Sequence, residues 1–410
     1  MLPALPVSAE ASGVFTLSDR TEARVRAPDQ FTNAAGIDLD TLVDARATWK
    51  SRSTAFLLAD DPRLTGLDLN GSARQLSALD SVLASAEWHS LRARIRLSEN
   101  ASYGAQSFQS LSALPPPGAP QEAPAPGQPT VPVTTIVPTT SQALLFASSE
   151  TAADSTLLVD RWSLFSRVGY KLAGGADSVA QQYLPFAQGP VAQGIADLTF
   201  PGRSHDHLIT LANGSETSFS TGSENILASV EEQWSRRWAR RTETIFGTGW
   251  YVLRSRAGFD QPDVSASSPM ADAAVEQRFV HGKDSAEVRA EVRLWPVLNP
   301  LTGLVDEQIR GSLEGAWVHR HLNLRAFVSA GESIDEGTAT AVRQATAEVD
   351  TAYAMNRWLT FDFGVRGLYQ SQNESGTPAV PGGPAPITET TFGQVVVFVA
   401  ATWQAMKVRF

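Results

Sequence analysis

Apolar and polar residues alternate along much of this chain. Between Ala286 and Leu294 the even-numbered positions are apolar, and the odd-numbered positions carry Glu or Arg. A period of two residues is typical of a β-strand that has one apolar face and one polar face. The same period recurs at 91–97 and at 361–366. The pattern therefore predicts a chain built largely of half-apolar β-strands.

Short turns rich in Arg, His, Lys or Asn separate many of these strands, and most lie next to an aromatic residue. We predict eight such turns, within 45–51, 86–91, 160–162, 201–204, 230–238, 281–284, 314–324 and 352–361. The connections between them are longer and rich in Gly, Ser and Pro. One strand on each side of every turn, plus a first and a last strand, gives about 18 strands, within a range of roughly 16–18. An even number places both chain ends at the short-turn end.

Tryptophan residues cluster at these short turns rather than along the strand middles. Indole rings prefer the interface between hydrocarbon and water, where the ring is buried and the N–H stays hydrated. We therefore predict a membrane-interface girdle formed by Trp49, Trp88, Trp162, Trp234, Trp238, Trp317 and Trp358. Together with the strand count, this predicts an all-β fold, a single transmembrane antiparallel up-and-down β-barrel.

The polar strand faces are unusually rich in charge, as the water-filled interior of a large barrel would be. The predicted lumen-facing residues are Arg92, Arg94, Arg96, Glu287, Arg289, Glu291, Arg293, Arg325, Asp362 and Arg366, and the same phase turns Glu22, Arg24 and Arg26 inward. Two interpretations remain open. Arginine-rich walls favour anions and sugars that bear carboxylates. Alternatively, Arg–Glu pairs across strands satisfy each other and brace the wall.

Composition narrows the class of protein. The mean hydropathy is −0.14 and no run of 18 apolar residues occurs, which excludes a transmembrane helix. There is no cysteine, so disulfides, thiolate metal sites and cysteine nucleophiles are excluded. A net charge of −10 argues against nucleic acid as a partner.

Catalytic and metal motifs are missing from the sequence. It contains no Gly-x-Ser-x-Gly elbow, no phosphate-binding glycine loop and no His-Glu-x-x-His. The pairs His205/His207 and His319/His321 could hold a metal, but histidines at turns more often only solvate them. We predict neither an enzyme nor a cofactor nor a metal site.

The chain ends and loops suggest the domain layout. Residues 1–9 resemble the end of a signal peptide, with Val7-Ser8-Ala9 like a cleavage site, although an ordinary terminus is the alternative. Residues 10–410 are predicted to form the barrel. The proline-rich stretch at about 107–145 cannot form a strand or helix. We predict a long extracellular loop there, with a domain linker as the alternative.

The last strand alternates Met406, Val408 and Phe410 with basic residues. This resembles the closing strand of bacterial outer-membrane barrels, a segment that the barrel assembly machinery reads as an assembly signal. We expect it to pair with the strand at 14–26. The polar residues Thr402 and Gln404 interrupt its apolar face, which suggests a rim or subunit contact there.

The whole layout resembles an outer-membrane barrel of the porin type. More narrowly, the segment 181–190, the turn at 219–222 and the hairpin at 234–243 resemble the barrels of polysaccharide-export systems. The resemblance implies a bacterial outer-membrane protein with both termini in the periplasm, surrounded by lipid and lipopolysaccharide. It also implies a periplasmic polysaccharide-export protein as partner.

The function that this resemblance implies is a conduit for hydrophilic or anionic material, most specifically an exported polysaccharide. The alternatives are a general diffusion porin, and a scaffold or adhesin that binds a surface partner through its long extracellular loops.

Overall fold

The computed structural model describes most of the chain. The described residues are 12–27, 35–67, 69–70, 75–106, 144–183, 185–200, 206–220, 222–239, 241–256, 264–282, 284–298, 305–333, 340–375 and 387–409. Three predictions lie outside them: the signal-peptide remnant, nearly all of the proline-rich loop, and the position of Phe410.

Strands make up almost all of the described structure, with one helical turn, α1 (Ala180–Tyr183). The strands are β1 (Ser12–Arg26), β2 (Gly36–Lys50), β3 (Thr54–Asp60), β4 (Arg63–Leu67), β5 (Gln75–His89), β6 (Ala93–Gln106), β7 (Leu144–Val159), β8 (Trp162–Gly175), β9 (Ala187–Thr199), β10 (Asp206–Phe219), β11 (Glu224–Ala239), β12 (Thr242–Arg256), β13 (Val264–His281), β14 (Asp284–Leu298), β15 (Val305–His319), β16 (Leu322–Ser333), β17 (Thr340–Ala354), β18 (Leu359–Ser375) and β19 (Ile387–Arg409).

The sheet closes on itself into a barrel. Neighbouring strands pair antiparallel in chain order, and β1 pairs with β19 from Val14 opposite Arg409 to Arg26 opposite Val396. The strands β3 and β4 both lie between β2 and β5, in one continuous register. They are separated at Pro62, which has no N–H to donate to a neighbouring strand. Counted as one barrel strand, they give a closed barrel of eighteen strands, which confirms the predicted fold.

The connections differ in length at the two ends of the barrel. At one end the intervals between strands hold two to six residues, at 51–53, 90–92, 160–161, 200–205, 240–241, 282–283, 320–321 and 355–358. At the other end they range from four residues, at 220–223, to thirty-seven, at 107–143. Seven predicted short turns overlap these intervals, although residues 201–204 themselves lie outside the described part of the chain. The eighth is displaced, because β11 continues through Trp234 and Trp238 to Ala239.

The two faces of the barrel wall differ sharply in exposure. On β19, Val395, Val397 and Val399 are about half exposed on the outer face. Their neighbours Val396, Phe398 and Ala400 are at most 2% exposed on the inner face. Half-exposed apolar side chains recur around the outer surface, for example Phe363 and Val365 on β18. A continuous apolar outer surface needs lipid rather than water around it.

A β-bulge explains the interrupted pattern of the closing strand. Leu17 lies opposite Met406, but Ser18 lies opposite Gln404, so one extra residue, Ala405, is inserted in β19. The insertion shifts the alternation by one position. As a result Val408, which is 41% exposed, shares the outer face with Trp403, which is 54% exposed. The predicted rim or subunit contact is therefore not needed to account for Thr402 and Gln404.

Candidate functional site

The inner face of the barrel carries the charged side chains and is the candidate functional surface. Because directly opposed residues in a sheet share a face, the register assigns each position to the inside or the outside. On β14 the inner row holds Glu287, Arg289, Glu291 and Arg293, and the outer row holds Val288 and Val292.

Ion pairs connect most of the predicted lumen-facing residues. Arg289 and Arg293 both pair with Glu291, at 2.8 and 2.9 Å. Each arginine lies two positions from Glu291 along β14, and therefore on the same face of the strand. Glu287 pairs instead across the strands, with Arg278 at 3.1 Å. The wall of β13 and β14 is therefore a ladder of alternating charge rather than a row of free guanidinium groups.

The β5–β6 hairpin follows the same rule. Arg94 pairs with Glu87 at 2.6 Å, and its side chain is 48% exposed. Arg96 lies one step further along the same face of β6. Arg92, by contrast, lies in the turn at 90–92 and not in the strand. The prediction that Arg92 lies on the strand was therefore wrong, because the alternation of arginines continues into the turn and does not mark where β6 begins.

The densest group of ion pairs lies on the inner face of β1, β2 and β4. Asp40 is fully buried and accepts hydrogen bonds from Arg24 Nη2 at 3.1 Å and from Thr65 Oγ1 at 3.1 Å. It also accepts from Arg63 Nε at 2.9 Å. Next to it, Arg26 pairs with Asp38 at 2.7 Å. The inward phase of Arg24 and Arg26 follows from the sequence, whereas the partners on β2 and β4 require the register.

A second group joins β18 to β1. Arg366 pairs with Glu348 at 2.9 Å and with Glu22 at 3.4 Å, and its guanidinium group stacks on the ring of Phe398 at 3.9 Å. Arg366 is only 4% exposed. These contacts hold the guanidinium group rigidly against the wall.

A recess of about 580 Å³ opens in the inner wall beside this group, between β1 and β15–β18. Ligand sites in proteins commonly enclose a volume in this range. Its charged lining consists of Arg20, Arg325, Arg366, Glu314, Glu348, Asp350 and Asp362. Three of the predicted lumen-facing residues, Arg325, Asp362 and Arg366, thus meet at one place.

An apolar patch interrupts the charged inner face toward the long-loop end. Tyr251, Leu253, Met270 and Trp295 pack together there, and each is at most 7% exposed. The Arg293 guanidinium lies 5.7 Å from the centre of the Trp295 ring. The sequence pattern missed this patch, although Trp295 does break the charged alternation that precedes it on β14.

The predicted girdle tryptophans lie close to the short turns. Exposure is between 37% and 57% for Trp49, Trp88, Trp162, Trp238, Trp317 and Trp358. Trp234 is less exposed and stacks on Phe246, with 6.2 Å between the ring centres. Trp250 is 52% exposed and lies nearer the other end of β12, hydrogen-bonded through Nε1 to Ser267.

Three of the described histidines, His89, His207 and His319, each lie beside one carboxylate, whereas His205 of the predicted pair lies outside the described residues. His207 Nδ1 lies 3.1 Å from Asp197, and His319 contacts Asp284. Among the described residues, no group of three or more His, Cys, Asp or Glu side chains could hold a metal ion. Within the same residues, no helix has the length and apolar character needed to cross a membrane.

Comparison with known proteins gives one family match and many structural ones. The model of the EpsX exopolysaccharide export family matches residues 5–381. No curated protein matches the sequence.

Two structural matches illustrate the fold. The FrpB iron transporter from Neisseria meningitidis, F5-1 variant, has a TM-score of 0.50 and 10% identity, over 95% of this chain and 81% of that chain. Pseudomonas aeruginosa OccK2 has a TM-score of 0.49 and 10% identity, over 97% of this chain and 98% of that chain. At 10% identity the likeness to the FrpB transporter concerns the fold alone.

Proposed function

Because the chain belongs to the EpsX exopolysaccharide export family, we propose that its barrel carries an exopolysaccharide across the outer membrane. The observation that carries the proposal is the contrast between the two faces of the closed wall. The outer face is apolar and the inner face is lined with charged side chains. Such a wall suits a water-filled passage inside a lipid bilayer.

The ion-pair ladders support passage rather than tight capture. A wall of free arginines would hold an anionic chain strongly, and conduction requires weak, repeated contacts. Here most inner guanidinium groups already have a carboxylate partner, so the field of each charge is largely cancelled by its neighbour. Sugar hydroxyl groups can still hydrogen-bond to the half-exposed pairs, such as Arg94 with Glu87.

The orientation belongs to the same proposal. We place the short turns and both chain ends in the periplasm, where a periplasmic polysaccharide-export protein delivers the polymer. The long connections, including the proline-rich loop at about 107–145, then face the cell exterior. The barrel domain spans residues 10–410, lipid and lipopolysaccharide contact its outer face, and the assembly machinery reads the closing segment with Met406, Val408 and Phe410.

A chemical block of the passage tests the proposal, since the chain has no native cysteine. Ala352 lies on the inner face of β17 and lines the recess, whereas the adjacent Thr351 lies on the outer face, opposite Leu324 and Phe363. The two variants Ala352→Cys and Thr351→Cys would be produced in cells that lack the native protein. A bulky, membrane-impermeant maleimide would then be added.

We expect Ala352→Cys to react and polysaccharide secretion to fall strongly, with polymer accumulating in the periplasm. Thr351→Cys should remain unlabelled and secrete normally, because its thiol lies among lipids. Undiminished secretion from fully labelled Ala352→Cys cells would contradict the conduit. Normal secretion combined with loss of small-sugar uptake would favour a general porin, and loss of surface attachment alone would favour an adhesin.

A further inference from the structure

The recess between β1 and β15–β18 has the features of a sugar site. We propose that it binds uncharged pyranose units of a passing glycan in preference to uronic acids. The inference rests on the proposed function, because it names the class of sugar that the conduit recognises. It depends on four features of the recess: its rigid frame, its accessible polar groups, its aromatic ring and its charge.

The frame of the recess is rigid. Arg366 is held by Glu22, Glu348 and the ring of Phe398, as described above, and Arg20 pairs with Asp362. The side chains of Arg366 and Asp362 are only 5% and 10% exposed. Preformed walls reduce the entropy that a ligand must lose on binding.

The interior of the recess, by contrast, offers accessible polar groups. The side chains of Arg325, Glu314 and Glu348 are 59%, 44% and 38% exposed. Asp350 lies directly opposite Arg325 in the register and forms no hydrogen bond or ion pair with the described part of the chain. Carboxylates only accept hydrogen bonds and guanidinium groups only donate them, whereas a sugar hydroxyl does both. Adjacent hydroxyl groups of one pyranose can therefore satisfy both kinds of group.

Phe327 supplies an apolar surface within the same recess. It lies on the inner face of β16, two positions from Arg325. A pyranose ring has an apolar face of C–H groups, and an aromatic ring with polar groups nearby is a common lining for small-molecule sites. Such a lining distinguishes a sugar from a simple ion, which would gain nothing from Phe327.

The charge of the recess selects against acids. Its lining has three guanidinium groups and four carboxylates, which leaves one net negative charge. A uronate would add a further negative charge close to Asp350, and like charges in a confined site repel. This differs from the preference for anions that an arginine-rich wall suggests, because the neighbouring strands supply more carboxylates than arginines here.

The recess also lies near the short turns. Ala352 is three residues from the turn at 355–358, and Asn323 is two residues from the turn at 320–321. In the proposed orientation this is the periplasmic half of the passage, so the recess would contact the glycan early in its transit.

Direct binding to the purified, detergent-folded protein tests the inference independently of export. The probes are cellotetraose, which is neutral, and tetragalacturonate, measured by isothermal titration calorimetry. We expect cellotetraose to bind at least fivefold more tightly than tetragalacturonate. Phe327→Leu keeps an apolar side chain but removes the ring, and it should weaken cellotetraose binding about fivefold. Asp350→Asn removes one negative charge, so the ratio of the affinity for cellotetraose to that for tetragalacturonate should fall about threefold to tenfold.

The control is Glu150→Gln, which alters a carboxylate on β7 that pairs with Lys171 at 3.2 Å, away from the recess. It should bind both probes as the unaltered protein does. Equal or tighter binding of tetragalacturonate would overturn the inference, as would unaltered binding by both recess variants. Asp350→Asn is close to isosteric, so a folding failure of Phe327→Leu would not remove the test.

Labelling of Ala352→Cys and binding of cellotetraose together separate the two proposals. If labelling blocks secretion but the protein does not bind cellotetraose, the sugar site is refuted and the conduit stands. If the protein binds cellotetraose but labelling leaves secretion unchanged, the conduit is refuted and the sugar site stands.

Discussion

Replacing Asp40 with alanine tests whether water is excluded from the ion-pair network on the inner face of β1 and β2. Asp40 is fully buried and receives hydrogen bonds from Arg24, Arg63 and Thr65. The side chain of Arg24 is 0% exposed and that of Arg63 is 11% exposed. Asp40→Ala therefore leaves two largely buried guanidinium groups without their shared carboxylate. Removing one partner of a buried ion pair typically costs about 3–5 kcal/mol, and we expect a loss of that size in the free energy of unfolding.

The matched comparison is Glu287→Ala, which breaks an ion pair on the same inner face. Glu287 lies 3.1 Å from Arg278, but the two side chains are 46% and 56% exposed. Water and salt screen such a pair, so its loss should cost about 0–1 kcal/mol. Urea unfolding of the detergent-folded proteins, followed by tryptophan fluorescence, gives both values. Heat-dependent mobility on gels verifies that each variant forms a closed barrel.

Equal losses for Asp40→Ala and Glu287→Ala would refute the reasoning. Such a result would mean that water reaches the Asp40 network as freely as it reaches the open lumen. The wall would then be hydrated throughout, and burial would not distinguish one ion pair from another.

Three further predictions concern packing, lipid exposure and strand register. A Cβ atom at Gly364 would lie 2.4 Å from the ring of Phe398, so Gly364→Ala should lower the free energy of unfolding by about 1–3 kcal/mol. A Cβ atom at Gly367 would have its nearest neighbour at 4.0 Å, so Gly367→Ala should leave that free energy unchanged in the same urea titration. Val397→Arg places a charge on the outer face, where Val397 is 50% exposed, and should destabilise the barrel in lipid vesicles by about 2–4 kcal/mol. A similar stability in vesicles would contradict the lipid contact. Deleting Ala405 alone removes the extra residue and leaves Lys407 on the inner face, whereas deleting Gln404 and Ala405 together inverts the alternation and turns Lys407 toward the outer face, so less folded barrel should reach the membrane with the double deletion than with the single one. Equal amounts would show that the facing of the residues after the bulge does not matter for assembly.

Local pattern was sufficient to predict the strands and their turns. The two-residue period marks each strand and the side of the sheet that each residue occupies, because side chains alternate along any β-strand. Aromatic residues beside polar turns marked seven of the eight short connections. The displaced turn near Trp234 shows the limit, since both Trp234 and Trp238 lie inside β11 and only the pairing with β12 sets the strand end.

Contacts between strands that are distant in sequence could not be predicted from the alternation of apolar and polar residues. The bulge at Ala405 looks like a polar interruption in the sequence and becomes a change of register only beside β1. Asp38 and Asp40 share one face of β2, but the sequence gives no sign that arginines of β1 and β4 pair with them there. The alternation on β14 places Trp295 on the inner face, but its burial there comes from its packing against Met270 and Tyr251.

The sequence by itself determined that this protein is a β-barrel with an apolar outside and a charged inside, because those properties follow from alternation within each strand. The tertiary structure decided which charges meet. Closure of β1 onto β19 and the register of eighteen strands bring Arg366 to Glu22, across 344 positions of sequence. That register also gathers more carboxylates than guanidinium groups around Asp350. Electrostatic selectivity depends on the distances between charges, and only the closed sheet sets those distances.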